Sequence, residues 1–194
     1  RLPDPGVSAL MQVTYNTAST PGSRNEDLVI AGPTWVFVLD GATKRADVDT
    51  GCVHDVAWLV RCLGAELASH LAREAEVPLT SILAEAITAT CAAHAGTCDL
   101  SNPDSPSATV AMLRQRRDIV EWLSLADSPI LIERNGRTQV HVDDRTAHLP
   151  SYTTEAVRAA RNSPSGFWVA STKPEAAYQA VTGSVPAGEV PRAA

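Results

Sequence analysis

The chain has 194 residues, 44% of them hydrophobic and 20% charged, so it can bury a substantial core and is not expected to be disordered. Its formal net charge of −6 argues against nucleic-acid binding, because a phosphate backbone requires a basic surface. No apolar run approaches the roughly 20 residues of a membrane helix, and no signal peptide opens the chain. We therefore expect a cytoplasmic protein, with residues 1–194 forming a single domain and with no nucleic-acid or membrane partner.

The first half of the chain predicts strands followed by two long helices. Apolar, β-branched and aromatic residues indicate three strands: Met11–Tyr15, Leu28–Ala31 and Thr34–Leu39. Apolar residues at helical spacing predict two amphipathic helices, His54–Glu74 and Leu79–Ala95.

In the second half the hydrophobic period changes to two. Four consecutive strands are predicted: Ser107–Arg114, Ile119–Ala126, Pro129–Glu133 and Arg137–Val142. The last two flank Asn135-Gly136, a strong hairpin signal. A helix over Ser151–Asn162, a strand over Gly166–Ala170 and a helix over Thr172–Thr182 follow. Strands and helices that are segregated in this way favour an α+β layered fold.

The cysteines give an incomplete metal pattern. Cys91, His94 and Cys98 have spacing similar to zinc ligands, but a fourth ligand is not evident in the sequence. Without a secretory signal we expect reduced, partly buried thiols, although four cysteines also permit two disulfides. His54 and His70 are expected on helix surfaces or caps.

Several acidic residues stand at strand ends. Glu26 and Asp27 precede one predicted strand, Asp40 ends the next, and Asp127 follows a later one. If these strands are neighbours, the carboxylates form a cluster that must be neutralised by protons or cations. Hard oxygen ligands favour Mg²⁺ or Mn²⁺, and Gly41 lets a main-chain carbonyl approach a metal closely.

A basic residue lies beside this set. Arg24 stands three residues before Asp27, and a guanidinium fits phosphate oxygens bidentately, so the combination suits phosphate-ester hydrolysis. The alternative interpretation is that such acids cap turns and helices, as we expect for Asp47, Asp49 and Asp55, and that Arg24 is a solvated loop charge.

Four short motifs point to a family. They are Arg24-Asn25-Glu26-Asp27, Asp40-Gly41, Ser107-Ala108-Thr109 and Ala126-Asp127-Ser128. In this order they resemble the motifs of the metal-dependent protein phosphatases of type 2C, and the similarity runs from about Val13 to Val169. The composition, rich in Arg and Ala and with only two lysines, resembles that of bacterial, actinobacterial members.

The resemblance implies a four-layer α-β-β-α sandwich of two antiparallel sheets flanked by helices. It also implies a serine/threonine phosphatase in signalling, in which two or three Mg²⁺ or Mn²⁺ ions activate the attacking water without a covalent phosphoenzyme. Its substrate would be a phosphorylated protein. By the same resemblance the metal-site residues are Glu26 (through water), Asp27, Asp40, Gly41 (through its carbonyl) and Asp127, and the substrate phosphate is bound by Arg24.

The sequence departs from the family pattern in several places. The family's phosphate-binding Arg stands where this chain has Gly22, and Ala42 replaces the His suspected as general acid in eukaryotic members. A Ser/Thr-Asp-Gly strand and a final Asp-Asn pair are not found, so we expect a C-terminally incomplete fold with weak or no activity. Two alternatives follow: a degenerate, non-catalytic module that binds phosphoproteins, or an unrelated α+β interaction domain.

Overall fold

The computed structural model describes residues 11–19, 21–42, 47–73, 76–190 and 192–194. The strands in this part of the chain are β1 (Leu28–Ala31), β2 (Trp35–Gly41), β3 (Ala108–Arg116), β4 (Ile119–Leu125), β5 (Ile130–Arg134), β6 (Arg137–His141), β7 (Val181–Pro186) and β8 (Arg192–Ala193). The α-helices are α1 (Val56–Arg73), α2 (Leu79–Ala93) and α3 (Thr154–Ala160). Short 3₁₀ helices cover Arg145–His148, Pro174–Gln179 and Ala187–Glu189.

The strands form two antiparallel sheets. The larger has the order β1-β2-β3-β4-β7 and the smaller has the order β6-β5-β8. The β5–β6 hairpin turns at Asn135 and Gly136, whose φ angles of 52° and 71° belong to the left-handed region that this dipeptide adopts readily. The hairpin predicted from the sequence is therefore confirmed.

The five-stranded sheet is buried on both faces. Val110 and Met112 of β3 point toward α1 and α2, whereas Ala111 and Leu113 point toward the smaller sheet. The helix-side core is the larger one, and its most buried side chains include Phe37, Leu39, Leu63, Leu67, Ile82, Leu83, Ile87, Met112 and Leu123. The core between the sheets is built mainly from Val120, Trp122, Ile130, Ile132 and Val185. This arrangement confirms the prediction of two antiparallel sheets flanked by helices.

Two predicted strands are wrong. Met11–Tyr15 is irregular, and Met11 donates a single backbone hydrogen bond of 2.9 Å to the carbonyl of Pro33. Gly166–Ala170 forms only isolated bridges, through Phe167 with Arg161 and through Ala170 with Ala108. Both segments contain residue types that are common in strands. Each forms only isolated backbone hydrogen bonds with its neighbours and does not pair continuously with the edge of a sheet.

The predicted helix over Thr172–Thr182 is also wrong. A 3₁₀ helix over Pro174–Gln179 is followed at once by β7, which pairs with the edge of β4. Gly183 lies in this strand against the ring of Trp122, where a Cβ atom would collide. The hydrogen bonds with β4 stabilise the strand more than the local capping residues would stabilise a helix. The position of β4 beside this segment could not be predicted from local propensity, because β4 is far away in the sequence.

Within the described residues, no helix combines the length and hydropathy that would be needed to cross a bilayer.

Candidate functional site

The register of the first two strands brings two predicted site residues together. Leu28 pairs with Leu39, so Asp27 and Asp40 come next to each other at the end of the ladder. Their carboxyl groups are hydrogen-bonded, and Asp127 lies close enough to act on Asp40 electrostatically. Burial, then the charge and hydrogen bond of Asp27, and then the charge of Asp127 raise the pKa of Asp40. Three of the predicted acids therefore converge, and their role as metal ligands stays a prediction.

Glu26 and Gly41 are in backbone contact beside these acids. A Cβ atom at Gly41 would lie 2.5 Å from the carbonyl oxygen of Glu26 and 2.5 Å from Cγ1 of Val56. Only glycine fits this position without a shift of the backbone. The close approach places the main chain of β2 directly against the segment that carries Glu26 and Asp27.

The loop that carries Asp127 is held by polar contacts that the sequence did not reveal. The hydroxyl groups of Thr109 and Ser128 are hydrogen-bonded, which ties the loop to β3. Ser124 Oγ donates to the carbonyl of Ser128 at 2.8 Å. Ala126, at φ 64°, lies in the left-handed region that glycine adopts easily.

Asp143 is a buried acid behind this loop. Its carboxylate accepts the N–H of Ala126 at 3.2 Å and two guanidinium hydrogen bonds from Arg145, of 2.7 and 2.6 Å. Burial opposes ionisation, but the hydrogen bonds and charge of Arg145 prevail and lower the pKa of Asp143. Asp143 therefore positions the Asp127 loop as an anion, a role that the sequence does not reveal because Ala126 lies 17 residues away along the chain.

Arg24 forms a salt bridge with Asp55 instead of contacting the clustered acids. Its Nη1 lies 2.7 Å from Asp55 Oδ2, and both side chains are more than half exposed. Asp55 Oδ1 also accepts the N–H of Trp58 at 2.7 Å, so it caps α1 as expected from the sequence. Asp49 likewise accepts the N–H of Gly51 at 2.9 Å within a turn.

A cleft of about 210 Å³ lies next to the end of β2 and is lined by both acidic and basic side chains, among them Asp104. It runs from Ala42, next to Gly41, to Tyr152, Arg158 and Arg161. Within the described part of the chain, the Nε of Arg161 is buried without a hydrogen-bond partner. Arg158 is paired with Asp104 at 3.2 Å, so Arg161 is the guanidinium of this cleft that suits an anionic ligand.

A second group of potential ligands lies between the start of α1 and the end of α2. We call Cys52, His54, His94 and Cys98 the Cys/His cluster, because one ligand atom from each lies within 4.8 Å of all the others. The sequence spacing indicated His94 and Cys98 but combined them with Cys91, whose thiol instead faces the carbonyl of Thr172 at 3.5 Å. His54 is not a surface or cap residue, and the expectation that it would be one was wrong.

The sequence of the chain matches a known protein family. The family model described as Protein phosphatase 2C matches residues 21–182. A search of curated protein sequences finds no significant match.

Several solved structures share the fold. The Mycobacterium tuberculosis serine/threonine phosphatase PstP/Ppp is 18% identical with a TM-score of 0.55, over 85% of this chain and 68% of that one. The catalytic domain of PstP in complex with two manganese ions gives 18% identity and a TM-score of 0.53, over 85% and 67%. Stp1 from Staphylococcus aureus is 13% identical with a TM-score of 0.56, over 91% and 71%. At these identities the likeness shows the fold alone.

Proposed function

The chain belongs to the protein phosphatase 2C family, and from this premise we propose that it is a metal-dependent phosphatase acting on phosphoserine or phosphothreonine in proteins. The family match sets aside the alternative of an unrelated interaction domain. The position of Asp27 and Asp40 at the paired ends of β1 and β2, with Asp127 close enough to raise the pKa of Asp40, is the observation that supports the proposal.

The residues present fit divalent cations. Carboxylate oxygens are hard ligands suited to Mg²⁺ or Mn²⁺, and a cation would relieve the burial and the neighbouring negative charges that raise the pKa of Asp40. We propose that Asp27, Asp40 and the Gly41 carbonyl bind two ions, with Glu26 acting through water and Asp127 serving a third. The catalytic domain of PstP forms a complex with two manganese ions, which supports this choice for a related fold. Such ions supply a nucleophilic water and neutralise charge on phosphoryl oxygens.

The phosphate-binding role of Arg24 requires it to leave Asp55. An exposed ion pair of this kind contributes only about 0–1 kcal/mol, so the exchange for a substrate phosphate costs little. The cleft with Arg158 and Arg161 would accept the anionic part of a phosphorylated protein segment. Ala42 supplies no proton, so we expect substrates with good leaving groups to react fastest.

Turnover of p-nitrophenyl phosphate with Mn²⁺, and its loss in EDTA, tests the proposal directly. Asp40→Asn removes a metal-binding charge and should lower kcat/KM at least about 100-fold. Substitutions of residues that only hold a metal ligand in place already cost up to about 100-fold in activity. Asp118→Asn is the matched control, because Asp118 is an exposed acid at the opposite end of β4 from Asp127. Activity that survives EDTA or the Asp40 substitution would contradict the metal mechanism.

A non-catalytic phosphoprotein-binding module is the second candidate, and the replacement of the family's proton donor by Ala42 favours it. It predicts saturable binding of a phosphopeptide by the native chain, without release of phosphate in Mn²⁺ or Mg²⁺. Release of phosphate from the same peptide would exclude this candidate.

A further inference from the structure

The Cys/His cluster has the donor set and the spacing of a tetrahedral metal site. His54 Nδ1 lies 3.4 Å from Cys98 Sγ and 3.7 Å from Cys52 Sγ. A tetrahedral zinc ion with ordinary Zn–S and Zn–N bond lengths has sulfur-to-nitrogen edges of roughly 3.6 Å. The two observed distances lie on either side of that value.

The fourth ligand, His94, is oriented as metal-binding histidines commonly are. Its ring is buried, and Nδ1–H donates to the carbonyl of Thr90 at 2.9 Å, which leaves the lone pair on Nε2. A hydrogen bond from the second ring nitrogen to a backbone carbonyl fixes the tautomer and raises ligand basicity.

The surroundings of the sulfur atoms support thiolate ligands. The N–H of Val53 points to Cys98 Sγ at 3.3 Å, and the N–H of His54 points to Cys52 Sγ at 3.4 Å. Backbone N–H groups directed at sulfur stabilise negative charge there. Trp58 stacks on His54 with ring centroids 3.8 Å apart and meets the edge of His94 at 4.6 Å, so an aromatic ring shields one side.

A disulfide between Cys52 and Cys98 is the competing explanation. Their sulfur atoms are 2.7 Å apart, which is longer than a disulfide bond of about 2.05 Å and shorter than a tetrahedral sulfur-to-sulfur edge of roughly 3.8 Å. A disulfide would give no reason for two imidazole rings to converge on the same point. A metal accounts for all four side chains, although the sulfurs must move apart to bind it.

We propose that Cys52, His54, His94 and Cys98 bind one Zn²⁺ ion in a closed, structural site that joins the segment before α1 to the end of α2. Two thiolates and two imidazoles are soft and borderline ligands that select zinc over Mg²⁺ or Mn²⁺. Four protein ligands leave no open position for a reacting water, so the ion's role is structural. The site uses none of the acids proposed for catalysis, and the two proposals can fail independently.

Metal content of the full chain, purified under reducing conditions without added Mn²⁺, tests the proposal. We expect about one zinc per chain, as a closed four-ligand site requires, and a cobalt-loaded form with the intense visible absorption of a tetrahedral thiolate complex. Cys98→Ser and His94→Ala should each lose both signals.

The other two cysteines provide the matched control. In the double variant Cys62→Ser/Cys91→Ser only Cys52 and Cys98 remain as thiols, and zinc content and cobalt absorption should be unchanged. This variant decides the matter even if Cys98→Ser fails to fold. Zinc-free protein that takes up no cobalt, loss of both signals in the double variant, or a Cys52–Cys98 disulfide found by mass spectrometry in place of metal would each overturn the proposal.

Discussion

Asp40 is a residue whose charge is disfavoured unless a cation is present. Burial and the neighbouring acids Asp27 and Asp127 raise its pKa, so in the metal-free protein its contribution to stability is present below its ordinary pKa. That contribution is lost as the pH rises through the raised pKa. The same carboxylate stabilises the protein when a metal is bound, because the ion binds only the folded state.

The effect of Asp40→Asn on thermal stability should therefore reverse with metal. In EDTA at pH 7 we expect the variant to melt about 1–2 °C higher than the native protein, a shift typical of surface charge changes. With saturating Mn²⁺ the native protein should melt higher. The EDTA difference should shrink as the pH falls through the raised pKa of Asp40, because its carboxyl group is then protonated. A variant that melts lower in EDTA at pH 7 would show that the acids do not repel one another.

Arg24 and Asp55 offer a paired test of phosphate binding. Arg24→Gln should raise KM for p-nitrophenyl phosphate about tenfold with little change in kcat, the pattern of lost ground-state binding. Asp55→Asn releases Arg24 but keeps a good cap for α1, so its KM should fall or stay the same. Steady-state kinetics in Mn²⁺ separates the two, and an unchanged KM in Arg24→Gln would leave Arg24 as a solvated loop charge.

At the level of elements, the described segment before α1, residues 47–55, contains no helix or strand. It is tied to the α2 end by the Asp99 N–H to the Gly51 carbonyl, at 2.8 Å, and by Asn102 Nδ2 to the Asp49 carbonyl, at 3.1 Å. The proposed zinc ion would add four strong bonds across the same junction.

Removal of zinc should therefore destabilise this junction. In Mn²⁺-free protein, a zinc-selective chelator should lower the melting temperature by about 5–10 °C. This value applies when the free zinc concentration before chelation is about 100 times the Kd of the site. Hydrogen exchange should quicken first at the N–H groups of Val53, His54 and Asp99. Cys98→Ser should not respond to the chelator, and an equal response in that variant would assign the effect to some other metal.

Local patterns predicted most elements but not their tertiary partners. Helices α1 and α2 follow from apolar residues at helical spacing, because one face of each packs on the larger sheet. Strand β7 was not predicted, and its first two residues were assigned to a helix, since its pairing with β4 joins residues about sixty positions apart. Short segments such as Gly166–Ala170 contain residue types common in strands but do not pair continuously with a sheet. Propensity alone cannot distinguish such segments from true strands.

For the whole molecule, burial of the larger sheet on both faces explains why β1 and most of β2 are continuous apolar runs. A buried arginine, Arg114, connects this sheet to the helix layer. Arg114 is 2% exposed, donates to the carbonyl of Val77 at 2.6 Å and pairs with Glu121, which ties the connection between α1 and α2 to the sheet. Ionic contacts of this kind inside a core give specificity to the packing when all donors are satisfied.

The sequence by itself determined the fold class, the family motifs and three of the acids that converge, because strand periodicity and motif order are local properties of the chain. Only the tertiary structure decided that Arg24 pairs with Asp55 and that Asp143 supports the Asp127 loop. It also decided that Cys52 and His54, rather than Cys91, complete the cluster with His94 and Cys98. These outcomes depend on which segments of the chain meet in the folded structure. That information is distributed over residues far apart in the chain, where no local pattern records it.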